Sequence, residues 1–135
     1  MDDTLIIKMF SVTLDCTDTK ELACFYAELL RWEKGFNEDG WAWVTGPEKY
    51  PFILFQQVDD YIPPVWPQEV EKQQQMAHID FAVNDLDEAI KHAINCGATV
   101  APKQFSDSWK VMVDPAGHPF CLCPKKTIFD VSICK

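Results

Sequence analysis

Polar and apolar residues alternate in a predicted strand from Met76 to Val83, and the alternation then gives way to the start of a helix. Successive side chains of a strand point to opposite faces, so His78 and Asp80 share one face and the apolar residues between them form the other. Asp85 follows as a helix N-cap, with Glu88 three residues later as in a capping box. The apolar face is expected to pack under this helix, which leaves the face of His78 and Asp80 for a site.

The same pattern occurs earlier in the chain, in a first strand predicted at Leu5 to Cys16, and indicates an internal repeat. At an offset of 67 positions, Asp18 and Glu21 correspond to Asp85 and Glu88. In the later part of each copy, the offset that aligns identical residues is 68. The chain is therefore predicted to contain two copies of one module. The identical pairs at the second offset are Trp41 and Trp109, Pro47 and Pro115, Pro51 and Pro119, Phe52 and Phe120, and Leu54 and Leu122.

Each copy is predicted to form a strand, a helix and three further strands, in the order βαβββ. A helix covers only one face of its sheet, so the other faces are expected to enclose a ligand cleft. The sequence therefore predicts an α+β fold, in which two tandem βαβββ modules form a curved, incompletely closed eight-stranded sheet around a cleft. The expected parts of this single domain, 1–135, are module one at about 5–57, a linker at about 58–75, module two at about 76–125 and a tail at 126–135.

The linker contains Pro63, Pro64 and Pro67, which predict an extended and stiff connection between the modules. Two aromatic residues, Tyr61 and Trp66, lie within it. They either cover the edge of a cavity or anchor the linker to the protein surface, and the sequence leaves both interpretations open.

Charge and cysteine content exclude several classes of protein. A formal net charge of −9 argues against nucleic acid as a partner, because phosphates are bound by Lys and Arg. Without a long apolar run or a basic, apolar N-terminus, neither a membrane span nor a secretory signal is expected. The six cysteines are then expected to be reduced thiols of a cytoplasmic protein. Cys121 and Cys123 share a strand face, and binding of a soft metal is their alternative role.

Two carboxylates and several aromatic residues are predicted to face the cleft. Alternation places Asp15 and Asp80 there, and Trp43, Phe55 and Trp109 are expected to line its wall. An acidic and aromatic wall favours a cationic or aromatic ligand. The alternative is that both carboxylates lie at hydrated strand ends.

Three segments and the repeat together resemble the vicinal-oxygen-chelate superfamily. The segments are PPVWP at Pro63 to Pro67, HIDFAVNDLD at His78 to Asp87 and DPAGHPFCL at Asp114 to Leu122. This superfamily includes glyoxalase I, extradiol dioxygenases, fosfomycin-resistance enzymes and bleomycin-resistance proteins. The chain is most similar to its glyoxalase-like domain group, over nearly its whole length up to about Lys126. The resemblance implies the fold and a cleft site, but not a reaction, because one fold hosts many chemistries.

The resemblance also implies four metal-ligand positions, which fall on Ser11, Ile53, His78 and Cys121. His78 matches the usual ligand and Cys121 stands where many members have Glu, whereas Ser11 is a weak ligand and Ile53 is none. A catalytic metal needs about three protein ligands, so a bound divalent metal is not favoured on this set. His78 could instead act as an acid–base group, contact a ligand, or be an inherited cleft residue without a role. The residues that could complete a metal site are Asp15, Asp80 and Gln56.

Two functions from different classes follow from these observations. The first is a binding module that holds a small cationic or aromatic molecule in the cleft between the modules without turnover, as bleomycin-resistance proteins do. The alternative is an enzyme, either a metal-dependent lyase, isomerase or dioxygenase or a metal-free relative, with His78 as the catalytic residue. Relatives of this fold commonly associate, so a homodimer is expected. The predicted ligand-binding residues are Asp15, Trp43, Phe55, Tyr61, Trp66, His78, Asp80, Trp109 and Cys121.

Overall fold

The computed structural model describes residues 4–124, which divide into two compact units with the boundary between Asp59 and Asp60. Each unit contains one helix and four strands in the order βαβββ. Unit one consists of β1 (Ser11–Cys16), α1 (Thr19–Leu30), β2 (Glu33–Phe36), β3 (Ala42–Thr45) and β4 (Phe52–Gln57). Unit two contains β5 (Ile79–Val83), α2 (Leu86–Cys96), β6 (Thr99–Val100), β7 (Lys110–Val113) and β8 (Pro119–Pro124).

Unit one is a four-stranded sheet of order β1-β4-β3-β2, in which β1 runs parallel to β4. Helix α1 begins at its N-cap Asp18, whose carboxylate accepts a hydrogen bond from the Glu21 N–H, as the capping pattern predicts. The helix packs on one face of the sheet, where Tyr26 stacks on Phe55 with ring centroids 5.6 Å apart. The core of this unit therefore lies between α1 and the sheet.

Unit two repeats this plan with the strand order β5-β8-β7-β6. Asp85 caps α2 by accepting from the Glu88 N–H, and Gly97 ends it with φ 123°. Both caps agree with the sequence prediction. Phe81 and Phe120 meet edge to face on the side of the sheet opposite Asp80. We call the other side of this sheet, which carries Asp80 and Cys121, the helix-free face.

Both first strands are shorter than predicted. β1 begins at Ser11 rather than Leu5, and β5 begins at Ile79 rather than Met76. The physical reason is the same in both units, because the parallel partner strand cannot extend further back. β4 is preceded by Pro51 and β8 begins at Pro119, and proline has no N–H to donate to a strand ladder.

The predicted linker belongs structurally to unit two. A bridge pairs Val65 with Gln74, and the Tyr61 hydroxyl donates to the Ala116 carbonyl at 2.8 Å. Trp66 packs against a buried cluster on the helix-free face. For Tyr61, this hydrogen bond supports the interpretation that the residue anchors the linker to the protein surface.

The predicted α+β class and the two tandem βαβββ modules are confirmed. The eight strands form two separate four-stranded sheets, and the cleft between the modules stays a prediction. Among residues 4–124 five cysteines are free thiols, and the predicted tail at 126–135 lies outside the described residues. Within residues 4–124, no helix has the length and apolar character needed to cross a membrane.

Candidate functional site

The helix-free face of unit two brings three predicted site residues together. Asp80 lies beside Cys121 in the parallel pairing of β5 with β8, and His78 directly precedes β5. The Nε2 atom of His78 lies 3.1 Å from Asp80 Oδ1. One His nitrogen, one carboxylate oxygen and the Cys121 sulfur all lie within 4.8 Å of one another. The shared face of His78 and Asp80 agrees with strand alternation, whereas the position of Cys121 beside them followed only from the family resemblance.

Both ring nitrogens of His78 have a polar neighbour in unit two. The Gln75 amide nitrogen lies 3.4 Å from Nδ1, and Nε2 lies 3.1 Å from Asp80 Oδ1. An ionised carboxylate can only accept a hydrogen bond, so the Nε2–H of His78 is the donor to Asp80. Asp80 therefore orients the imidazole on the helix-free face.

Cys121 is a buried, protonated thiol at neutral pH. Its relative exposure is 1%, and burial is the main reason that its pKa rises from 9.0 to about 12. The negative charge of Asp80, the neighbouring Cys123 and a hydrogen bond to Asp80 raise this pKa further. Burial, followed by the charge of Asp80, also raises the pKa of Cys123. Neither thiol is therefore a ready nucleophile, because the thiolate is the reactive form.

A row of four rings covers this cluster. Trp66 stacks on His78 with ring centroids 4.6 Å apart and on Phe105 at 4.8 Å, and Phe105 faces Trp109 at 6.3 Å. The sequence predicted Trp66 and Trp109 as ligand contacts but missed Phe105, which lies in an irregular loop without periodicity. We call His78, Trp66, Phe105 and Trp109 the ring row.

A cavity of about 450 Å³ lies between the linker and β7, and Trp66 forms part of its wall. We call it the linker cavity. On the linker side it is lined by Pro63, Pro64 and Pro67, and on the sheet side by Val111 and Val113. Its position shows that Trp66 both anchors the linker and covers a cavity, so the two interpretations of this residue are compatible.

The turn between β7 and β8 supports the start of the linker. The buried Asp114 carboxylate accepts hydrogen bonds from the N–H groups of Ala116 and His118, both at 2.9 Å. The Tyr61 hydroxyl lies 3.2 Å from His118 Nε2. Gly117 has φ 94°, and a Cβ atom there would lie 2.7 Å from Pro63 Cβ. A glycine is therefore needed where the linker crosses this turn.

A divalent metal would find three donors on this face. His78, Asp80 and Cys121 offer a nitrogen, an oxygen and a sulfur, which is a donor set and number suited to catalytic zinc. The sequence anticipated Asp80 as a substitute ligand, and its position agrees with that idea. A metal must, however, displace the proton of a thiol whose pKa is about 12. The residues fit a metal in number and type, and binding would release the thiol proton.

In unit one the structure corrects two placements. Phe55 is fully buried against Tyr26 and cannot line the face away from α1. Ile53, two residues earlier, is also buried, with 6% exposure. Both point toward the helix, because alternate residues of β4 share a face. Asp15 and Trp43 do lie on the opposite face, where Trp43 pairs with Leu54.

The error over Ile53 comes from the repeat offset. Asp80 pairs with Cys121 in unit two, and 67 positions earlier Thr13 pairs with Leu54. Leu54, not Ile53, is therefore the counterpart of Cys121. The offset of 68 aligns β3 with β7, but the offset between β4 and β8 is one residue shorter. Because neighbouring residues of a strand lie on opposite faces, an error of one residue assigns every side chain to the wrong face. The corrected position is still apolar and offers no metal ligand.

Comparison with known proteins identifies the family but no activity. A family model described as "Glyoxalase-like domain" matches residues 11–123. No curated protein sequence matches the chain. Among solved structures, a possible glyoxalase from Bacillus cereus has a TM-score of 0.64 at 11% identity, covering 87% of this chain and 99% of its own.

Two further solved structures are similar at the level of the fold. The trypanothione-dependent glyoxalase I of Leishmania major has a TM-score of 0.63 at 20% identity, covering 93% of this chain and 91% of its own. A member of the glyoxalase/bleomycin resistance protein/dioxygenase superfamily from Sphaerobacter thermophilus has a TM-score of 0.61 at 21% identity, with coverages of 88% and 98%. With the family match over residues 11–123, the chain belongs to the glyoxalase-like domain family of the vicinal-oxygen-chelate superfamily.

Proposed function

We propose that this protein binds a small aromatic cation on the helix-free face of unit two, without turnover. One observation carries the proposal: the carboxylate of Asp80 lies beside a row of rings that starts at His78 and Trp66. A carboxylate attracts a cation by charge, and the neighbouring rings offer contact area to an aromatic ligand.

Asp80 has the capacity to accept a ligand. Its side chain is 51% exposed, although it already accepts from His78 and shares a hydrogen bond with the Cys121 thiol. A carboxylate has about four acceptor positions, so further N–H donors can bind to it. An exposed carboxylate that is held in place by two neighbours gives a ligand amine a fixed target, with little ordering cost on the protein side.

The contacts of His78 and the state of Cys121 favour binding over catalysis. His78 Nε2 donates to Asp80, and burial raises the pKa of the Cys121 thiol to about 12. The Cys121 thiol is therefore not a ready nucleophile, because the thiolate is the reactive form. The cluster therefore supplies orientation and charge more readily than proton transfer.

The test uses three ligands that share a phenyl ring and differ in charge: phenethylamine, 2-phenylethanol and 3-phenylpropionate. We expect the amine to bind most tightly in calorimetry or ligand-observed NMR, and Asp80→Asn to remove this preference. Asp107→Asn is the control, because Asp107 is an exposed carboxylate in the loop that carries Phe105. Equal affinity for all three compounds, or an unchanged preference in Asp80→Asn, would contradict the proposal.

A second candidate function is a metal-dependent enzyme of the same superfamily. The observation that favours it is the three-donor cluster of His78, Asp80 and Cys121. A bound metal would polarise a substrate oxygen, and these three side chains would hold it. The measurement is metal content by mass spectrometry after purification without chelator. We expect well under one equivalent, and stoichiometric metal that is lost in Cys121→Ala would establish this second candidate instead.

We also propose that the protein forms a homodimer. Five large apolar side chains between Leu5 and Phe10 are at least half exposed. Such a concentration of exposed apolar residues is typical of a contact surface rather than of a free one. Sedimentation should give about twice the chain mass of 15.5 kDa. A monomer mass at micromolar concentration would contradict this.

A reducing, cytoplasmic setting is the remaining part of the proposal. It is supported by five free thiols among residues 4–124, since secreted proteins of this size usually oxidise their cysteines. Mass spectrometry of protein that is alkylated during extraction would test it, because each free thiol then carries an alkyl group and each disulfide does not. Disulfide-bonded protein in cells would contradict it.

A further inference from the structure

The wall of the linker cavity has few backbone hydrogen-bond donors, because many of its residues are prolines. The cavity volume of about 450 Å³ lies within the usual range for small-molecule pockets, which is roughly 300–1,000 Å³. Proline has no backbone N–H, and prolines form a large part of the wall. These lining prolines are Pro63, Pro64, Pro67, Pro102 and Pro119.

Other polar groups in the wall are already engaged with each other. The Val111 N–H donates to Gln104 Oε1 at 2.8 Å, and the Gln104 amide donates back to the carbonyls of Ala101 and Val111. The Ala101 N–H donates to the Val111 carbonyl, and the Val65 N–H donates to the Gln73 carbonyl. A ligand with strong acceptor groups would therefore lose water without gaining equivalent backbone donors.

The wall is held in shape before any ligand arrives. Trp66 is stacked between His78 and Phe105. The Tyr61 hydroxyl donates to the Ala116 carbonyl and so connects the start of the linker with the turn between β7 and β8. Gly117 brings that turn into close contact with Pro63. A preformed pocket binds with a smaller ordering cost than one that must close around its ligand.

The charges at the edge of the cavity do not select a charged ligand. Glu69 and Lys103 both line it, both are exposed, and they carry opposite signs. We propose that the linker cavity is a second binding site, which takes a neutral apolar ring, aromatic or alicyclic. This site goes beyond the proposed function, because it does not use Asp80 and shares only Trp66 with the ring row.

Indole is a suitable probe, because it is a neutral ring that fits the volume. We expect indole to shift the methyl resonances of Val111 and Val113 in NMR and to saturate. Val113→Phe, which places a ring inside the cavity, should weaken binding at least about tenfold by occupying the same space. Val113→Ala enlarges the cavity and should retain binding. Val100→Phe is the matched control, because Val100 is exposed on β6 outside the cavity.

Further comparisons separate this site from the one around Asp80. Asp80→Asn should leave indole affinity unchanged within about twofold, while tryptamine and indole-3-acetate should bind the cavity more weakly than indole. Circular dichroism checks the fold of Val113→Phe, and Val113→Leu replaces it if the larger residue prevents folding. Three results would each overturn the inference. The first is that indole causes no saturable methyl shift, and the second is that Val113→Phe binds indole as tightly as the wild type. The third is that Asp80→Asn loses as much indole affinity as Val113→Phe. The first two would leave the Asp80 proposal untouched.

Discussion

The buried thiol of Cys121 makes a quantitative prediction about stability at high pH. Its pKa in the folded protein is about 12, raised mainly by burial from an ordinary value of 9.0. Between these values the unfolded chain releases the proton and the folded chain keeps it. The free energy of unfolding therefore falls as pH rises through this window, and the stabilising contribution is complete below pH 9.

The size of the loss follows from the two pKa values. Each pKa unit corresponds to about 1.4 kcal/mol, so the contribution of Cys121 should fall by about 1.4 kcal/mol at about pH 10. At about pH 11 the loss should reach about 2.7 kcal/mol. Such changes are large compared with the total stability of a small protein, which is roughly 5–15 kcal/mol.

The assay is urea unfolding of the wild type and of Cys121→Ala across the same pH series. Lysines and tyrosines titrate in both proteins, so only the difference between the two curves reports on Cys121. Asp80→Asn should reduce that difference, because the charge of Asp80 contributes to the raised pKa. Parallel curves for the wild type and Cys121→Ala up to about pH 11 would refute the assignment of a buried, neutral thiol.

Three further substitutions test the packing by chemical denaturation. Phe55→Ala should lower the free energy of unfolding by about 3–5 kcal/mol, because it opens a cavity against α1, whereas Leu54→Ala should lower it clearly less. Similar losses for the two variants would contradict the corrected register. Asp114→Ala should cost about 2–4 kcal/mol, since two turn N–H groups lose their acceptor, and a loss under about 0.5 kcal/mol would show that water replaces it. His78→Ala should cost about 1–2 kcal/mol through the lost stack on Trp66 and the lost Asp80 pair, and no change would mean that neither contact is formed in solution.

Local sequence signals were sufficient to predict the helices. Asp18 and Asp85 cap α1 and α2 as expected, and Gly97 ends α2. Caps depend on residues within one turn of each other, so they can be recognised without knowledge of the tertiary structure. The βαβββ order followed from the same signals, because each module repeats them.

The pairing register of the last strands could not be obtained in this way. Identities of Phe52 with Phe120 and of Leu54 with Leu122 favour an offset of 68, but the backbone pairs at 67. In unit one the residues of β4 that face the helix are Ile53 and Phe55. The identities at an offset of 68 would instead put Phe52 and Leu54 on that face, so the identical apolar residues of the two copies lie on opposite faces. Strands that are apolar on both faces carry little information about register.

The ring row also lay beyond the reach of the sequence. Phe105 lies in a loop that Gln104 holds by three hydrogen bonds to β7 and its neighbourhood, and no periodicity marks either residue. Trp66 was recognisable as a linker aromatic, but its stack on His78 depends on the path of the linker. Contacts made by irregular segments depend on tertiary packing, which a local pattern does not encode.

The distribution of polar residues shows why a symmetric fold has an asymmetric site. His78, Asp80 and Cys121 of unit two correspond, at an offset of 67, to Ser11, Thr13 and Leu54 of unit one. The backbone pairing is the same, yet at these three positions an imidazole, a carboxylate and a thiol occur in unit two and not in unit one. The linker packs on that same face and adds Trp66, while the side chain of Asp80 stays half exposed. The site therefore arises from substitutions on one face of one module, together with the irregular segments that cover it.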